Sequence, residues 1–188
     1  MPVLQGFLKL RLPANTMPKL DPFPCDGRIY KGDKLQRTVR DLLSKGPRPS
    51  DAVIALTDVY TGTNDFVDAA DAKRKMRDWV GQNEKFHPHA AQHDFEAWLL
   101  PFWSDIQHLA GHNKGAPSGM PESVNHQRPP SHHIKEIFRI GTCQRDYSKA
   151  RDAKRILQDK DLGVAAAACP ELKEFLNTIL LLSGAAPL

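Results

Sequence analysis

Residues 51–58, Asp51-Ala52-Val53-Ile54-Ala55-Leu56-Thr57-Asp58, decide the fold class. The apolar run is continuous rather than alternating, is preceded by Pro49-Ser50 and stops at a carboxylate. That pattern predicts a central strand covered on both faces, as in a parallel sheet. On its N-terminal side, Leu35, Val39, Leu42 and Leu43 keep helical spacing from Lys34 to Ser44, with Lys45-Gly46-Pro47 as a stop signal. On its C-terminal side, Tyr60–Asn64 reads as a loop and Asp68–Trp79 as a charged helix facing inward through Ala69, Ala72 and Met76. Lys85–Ala90 reads as a second short strand, with a further helix starting near His93. The alternation is that of a parallel α/β domain.

Further out the signals are weaker. Residues 3–12 suit a short amphipathic helix that Gly6 weakens, and residues 13–26 are proline-rich and loop-like. Gly27–Gly32 is a basic turn. From 108 to 131 the chain is rich in Gly, Pro, Asn and His without period, a long excursion for a compact domain. Helices are expected at 132–138, 150–157 and 170–182. We read residues 1–188 as a single domain, with 108–131 as the excursion and 132–188 as a helical C-terminal part.

Composition narrows the class. With 188 residues, 40% hydrophobic and 26% charged, the chain is sized for one α/β domain with a real core. The formal charge of +4 leans mildly towards polyanions. Cys25, Cys143 and Cys169 are far apart, which argues against a disulfide framework or a C-x-x-C zinc site and suits a reducing cytoplasm. No signal peptide or membrane-length apolar span is read. No phosphate-binding glycine loop occurs, which disfavours nucleotide hydrolysis by this chain.

Candidate chemistry concentrates in two places. Asp58, at the end of the predicted strand, is placed either to ligate a divalent metal or simply to cap a turn. In His93-Asp94-Phe95-Glu96-Ala97-Trp98-Leu99-Leu100, a helix would project His93 and Glu96 from one face. Glu96 would complete a metal site or act as base, with His93 positioning water or contacting phosphate. The plainer reading makes Asp94 a cap and Glu96 a carboxylate favoured by the helix dipole. All eight histidines lie between His87 and His133, but H-x-H without a distant pair is a weak zinc signal. His112, His126, His132 and His133, in or beside the excursion, read as solvent-facing or phosphate-contacting. Arg145, Lys149, Arg151, Lys154 and Arg155, with Tyr147 among them, form either a solvated face or a phosphate-binding stripe.

Leu56-Thr57-Asp58-Val59-Tyr60, His93–Leu100, Tyr147-Ser148-Lys149 and Cys169-Pro170 together resemble an uncharacterised bacterial family grouped with Toprim-like proteins, whose genes often sit beside an AAA-type ATPase. The resemblance runs from about residue 25 to 182. It implies a Rossmann-like, Toprim-like three-layer core with a central, mostly parallel sheet and C-terminal helices. It also implies Mg²⁺ or Mn²⁺ held by Asp58 and Glu96, with Glu96, His93 and Lys149 as catalytic residues of phosphodiester chemistry. Nuclease-type action with an ATPase partner, in defence against foreign DNA, would follow.

Two departures accompany it. Tyr60 stands where such domains carry a second aspartate, and no glutamate precedes Glu84, although an early glutamate turn is expected. A start lying too far downstream, costing the first strand, would explain this and leave one edge of the 51–57 strand bare. So would a catalytically inactive relative serving as an interaction module for an ATPase, nucleic acid or both.

Overall fold

The computed structural model describes residues 2–188 except 24, 26–28, 46–47, 61 and 126. The Gly46-Pro47 stop, Gly27-Arg28 of the basic turn and His126 therefore lie outside the described residues. The chain divides into two compact units, Asp21–Gln92 and Met1–Leu20 with His93–Leu188.

The 21–92 unit holds helix α2 (Gly32–Ser44), strand β1 (Val53–Asp58), helix α3 (Ala69–Val80) and strand β2 (Phe86–Ala91). The strands are parallel, with Val53 opposite Phe86 and Asp58 opposite Ala91. Asp68 caps α3 by accepting the Asp71 N–H at 2.7 Å, which satisfies one of the helix's unpaired donors. Leu35 and Val39 of α2 and Met76 and Val80 of α3 meet Ala55 and Phe86 in one cluster. Both helices thus cover the same face of the sheet.

The expected central, mostly parallel sheet of a three-layer core is, among the described residues, a two-stranded parallel one with α2 and α3 on one face. The expected burial of β1 on both faces is also corrected: Ala55 and Thr57 are buried, but Leu56 on the opposite face is 40% exposed. The continuous apolar run predicted burial that its alternate residues do not have.

Register explains why β2 tolerates a proline. Val53 N–H donates to Lys85 and Val59 N–H to Ala91, so odd-numbered residues of both strands exchange the ladder bonds. Pro88, an even position, lacks its N–H on the outer side of β2, where the ladder does not need it. Ile54 and Leu56 turn their backbone groups to the outer side of β1.

The second unit is helical: α1 (Pro2–Lys9), α4 (Trp103–Ala110), α5 (Pro130–Ile140), α6 (Lys149–Ile156), α7 (Leu162–Ala168) and α8 (Pro170–Leu182), with 3₁₀ turns that include Phe95–Phe102. Among the described residues no helix is long and apolar enough to cross a membrane. The α-helix expected from His93 is instead a left-handed residue, His93, and an extended one, Asp94, followed by the 3₁₀ turn. Pro101 supplies the reason, since it has no N–H for an α-helical bond and crowds the preceding turn. Helix α7, which was not anticipated from Leu-Gly-Val-Ala-Ala-Ala-Ala, starts at an Asp161 cap that accepts the Gly163 N–H at 2.9 Å.

The C-terminal ends of α4 and α5 meet at two glycines. A Cβ on Gly141 would stand 2.0 Å from the Ala110 carbonyl oxygen, and one on Gly111 (φ +67) 2.0 Å from Thr142 Oγ1. Only glycine permits this approach, across which Thr142 and Cys143 N–H groups donate to Gly111 and Ala110.

Candidate functional site

The 3₁₀ turn buries the motif that carried the candidate chemistry. Asp94, Glu96, Ala97, Trp98, Leu99 and Leu100 are all buried. His93 lies outside the turn at φ +66, a left-handed backbone uncommon for a residue with a Cβ. It is buried, and that burial lowers its pKa and keeps the imidazole neutral. The expected sharing of one helix face by His93 and Glu96 is therefore corrected: they flank a backbone reversal.

The Asp94 carbonyl accepts the Ala97 N–H of the turn at 3.0 Å, but its side chain does not cap that turn; the carboxylate accepts the Ser131 N–H at 3.2 Å, capping α5 from outside. Glu96 meets Lys149 at the start of α6, Oε2 to Nζ 3.3 Å, with the lysine half-exposed and the carboxylate buried. The same Nζ lies 5.3 Å from the centre of the Phe95 ring. Beside Glu96 is the Tyr147 hydroxyl, fully buried and without a hydrogen bond of normal geometry among the described residues. Its pKa is raised, first by burial and then by the Glu96 charge. Glu96, Lys149 and Tyr147 thus form one cluster.

Asp58 sits half-buried at the C-terminal end of β1, in the 21–92 unit, while Glu96, His93 and Lys149 belong to the other. Mg²⁺ takes hard oxygen ligands in octahedral geometry. Around Glu96 a lysine ammonium already supplies the positive charge, and among the described residues no group of three or more His, Cys, Asp or Glu side chains is placed to hold a metal. The surroundings of Glu96 do not fit a resident metal ion. His87 and His89 alternate onto one face of β2, and burial lowers the His87 pKa. The three cysteines are free.

The basic set divides. Arg145 and Arg151 both bind Asp152, at 2.7 Å and 3.1 Å, and Lys149 is held by Glu96, so these three are neutralised within the fold. Other cations line a cleft of about 560 Å³ between α5 and the segments flanking it. His132, Lys135, Glu136 and Arg139 contribute from α5, Arg128 from the segment before it, and Asp146 and Tyr147 from the segment before α6. The α5 residues follow a spacing of three, four and seven from His132, which places them on one helix face.

Glu136 is engaged by Lys114 at 2.7 Å, which with Arg128 holds its pKa below the ordinary carboxylate range. Lys135 and Arg139, both exposed, have no ion-pair partner among the described residues. Sequence reading assigned His132 a possible phosphate role but did not extend it to Lys135 and Arg139. The i, i+3, i+7 recurrence from His132 was the available signal.

No curated protein and no solved structure matches the chain. The likeness to Toprim proteins and the ATPase neighbour rests on the resemblance of motifs alone. A family model for a domain of unknown function does match, over residues 4–180, and the chain belongs to that family, DUF4276.

Proposed function

We propose that the protein is a non-catalytic interaction module that binds nucleic acid through the α5 cleft. The observation carrying this reading is the exposed pair Lys135 and Arg139, without carboxylate partners among the described residues and beside Arg128 and His132 in the lining of one cleft. Unpaired cations on a concave surface attract phosphates and release counterions when they bind them. Of the residues first considered for catalysis, Lys149 and Glu96 pair with each other, and Asp94, between His93 and Glu96 in sequence, caps α5.

A labelled single-stranded oligonucleotide titrated with the full chain tests this by fluorescence anisotropy. Three phosphate contacts predict a loss of affinity of roughly tenfold to twentyfold between 50 and 200 mM salt. Lys135→Glu with Arg139→Glu should weaken binding at least tenfold, whereas Lys154→Glu with Arg155→Glu should change it little. Equal weakening by both pairs would reduce the effect to net charge and remove the cleft from the reading. Mg²⁺-dependent cleavage that is lost in both Asp58→Ala and Glu96→Ala would replace this proposal with the nuclease reading.

A further inference from the structure

The polarity of the cleft specifies more than a polyanion. A free carboxylate repels a phosphate placed against it and favours a hydrogen-bond donor there instead. Here Asp146 lines the same cleft as Lys135 and Arg139, and its carboxylate has no ion pair or hydrogen bond among the described residues; only its main-chain oxygen accepts, from Arg145. Glu136 is occupied by Lys114, so that of the two carboxylates lining the cleft Asp146 is the one open to a ligand among the described residues. The volume, about 560 Å³, is that of a small-molecule pocket. A compact ligand carrying both an anion and hydroxyl donors satisfies both sets of groups. An acidic side chain accepting from ribose hydroxyls beside a phosphate site is a recurring solution to that pairing.

The geometry points to a ribonucleoside monophosphate unit as the ligand, its phosphate at Lys135 and Arg139 and its ribose hydroxyls at Asp146. This rests on the cleft being the phosphate site of the proposed function. The unit could come from a free nucleotide or from the 5′-phosphorylated end of an RNA strand.

Calorimetric titration of the full chain with 5′-AMP, 5′-dAMP, adenosine and a 5′-phosphorylated or 5′-hydroxyl RNA oligomer tests the assignment. The phosphorylated member of each pair should bind at least tenfold more tightly, and 5′-AMP about fivefold more tightly than 5′-dAMP. Asp146→Ala should remove the ribose preference while keeping the phosphate preference; Lys135→Ala with Arg139→Ala should do the reverse. A phosphorylated oligomer binding more than tenfold better than 5′-AMP identifies the strand end as source, and equal binding identifies the free nucleotide. If oligomers bind irrespective of the 5′ group, and 5′-AMP and 5′-dAMP are equivalent, the inference is overturned while nucleic-acid binding stands. If no oligomer binds at low salt, the nucleic-acid reading fails, and the inference fails with it unless 5′-AMP still binds in preference to 5′-dAMP and adenosine. Retained thermal melting of the variants excludes misfolding as the cause of any loss.

Discussion

Asp152→Ala is expected to destabilise the protein by about 3 kcal/mol, the sum of a lost helix-start bond and of charge-assisted bonds to a buried group. For a chain of this length that is a fall in Tm of roughly 10 °C. Asp152 is fully buried and accepts from both terminal nitrogens of Arg145, at 2.7 and 2.9 Å, from Arg151, and from the Ser148 N–H at 2.8 Å. The last bond reaches back to the residue before α6, in the manner of a capping box one position later. Removing the carboxylate strands that donor and two guanidiniums. The estimate stays near the low end for a buried ion pair because Arg145 and Arg151 are 27% and 53% exposed and can turn to solvent.

Acid should reveal the same network. Burial alone would raise the Asp152 pKa, but the bonds from Arg145, Arg151 and Ser148 outweigh it and hold the group far below the ordinary range of 3.8. The unfolded chain therefore takes up this proton near pH 4 while the folded chain does not. Its stabilisation is complete above that pH and is lost progressively as pH falls towards the folded pKa. Thermal melts of wild type and Asp152→Asn between pH 2 and 7 should converge at the acid end. Parallel curves throughout would refute the assignment.

Glu122→Ala is expected to cost about 3 kcal/mol, also read by thermal melting, because one carboxylate serves three donors. It accepts Trp98 Nε1–H at 2.9 Å and the Glu171 and Leu172 N–H groups at 3.0 and 3.4 Å. Helix α8 begins at Pro170, which has no N–H, so Glu171 and Leu172 offer the first free donors of the helix. Trp98 is stacked on Phe175 at 5.9 Å, so the carboxylate also fixes the contact between α8 and the 3₁₀ turn. Glutamine should not rescue the change, since its amide nitrogen would face donors.

The pH dependence here has the opposite sign. Burial raises the Glu122 pKa above 4.5, partly offset by the bonds from Glu171, Trp98 and Leu172. The folded chain then holds a proton that the unfolded chain has released. This contribution is greatest below pH 4.5 and declines as pH rises through the raised folded value. A Glu122 contribution that grew from pH 4.5 to 6 would contradict the burial argument.

Much of the backbone was legible because local signals and tertiary demand agree. The strand before Asp58, the helices over 34–44 and 68–79, and α8 from Pro170 to Leu182 lie within one or two residues of their expected bounds. Each has a period, a cap or a proline at its start. The helix expected at His93 failed where Pro101, eight residues on, ruled out α-helical bonding. Helix α7 was overlooked because an alanine run has strong helix propensity but no apolar–polar period.

The site shows the same division. Sequence by itself determined the α/β class, the family, and a surplus of Lys and Arg around residues 128–155. Only the tertiary structure decided which charges are spent inside the fold and which face a ligand. Glu96 and Glu122 lie far from partners such as Lys149 and Glu171 in sequence, and burial makes them, like Asp152, demand neutralisation or hydrogen bonds. Lys135 and Arg139 were set apart from Arg145, Lys149 and Arg151 because, among the described residues, no buried carboxylate pairs with them. That distinction depends on three-dimensional pairing and dielectric environment, which residue spacing does not encode.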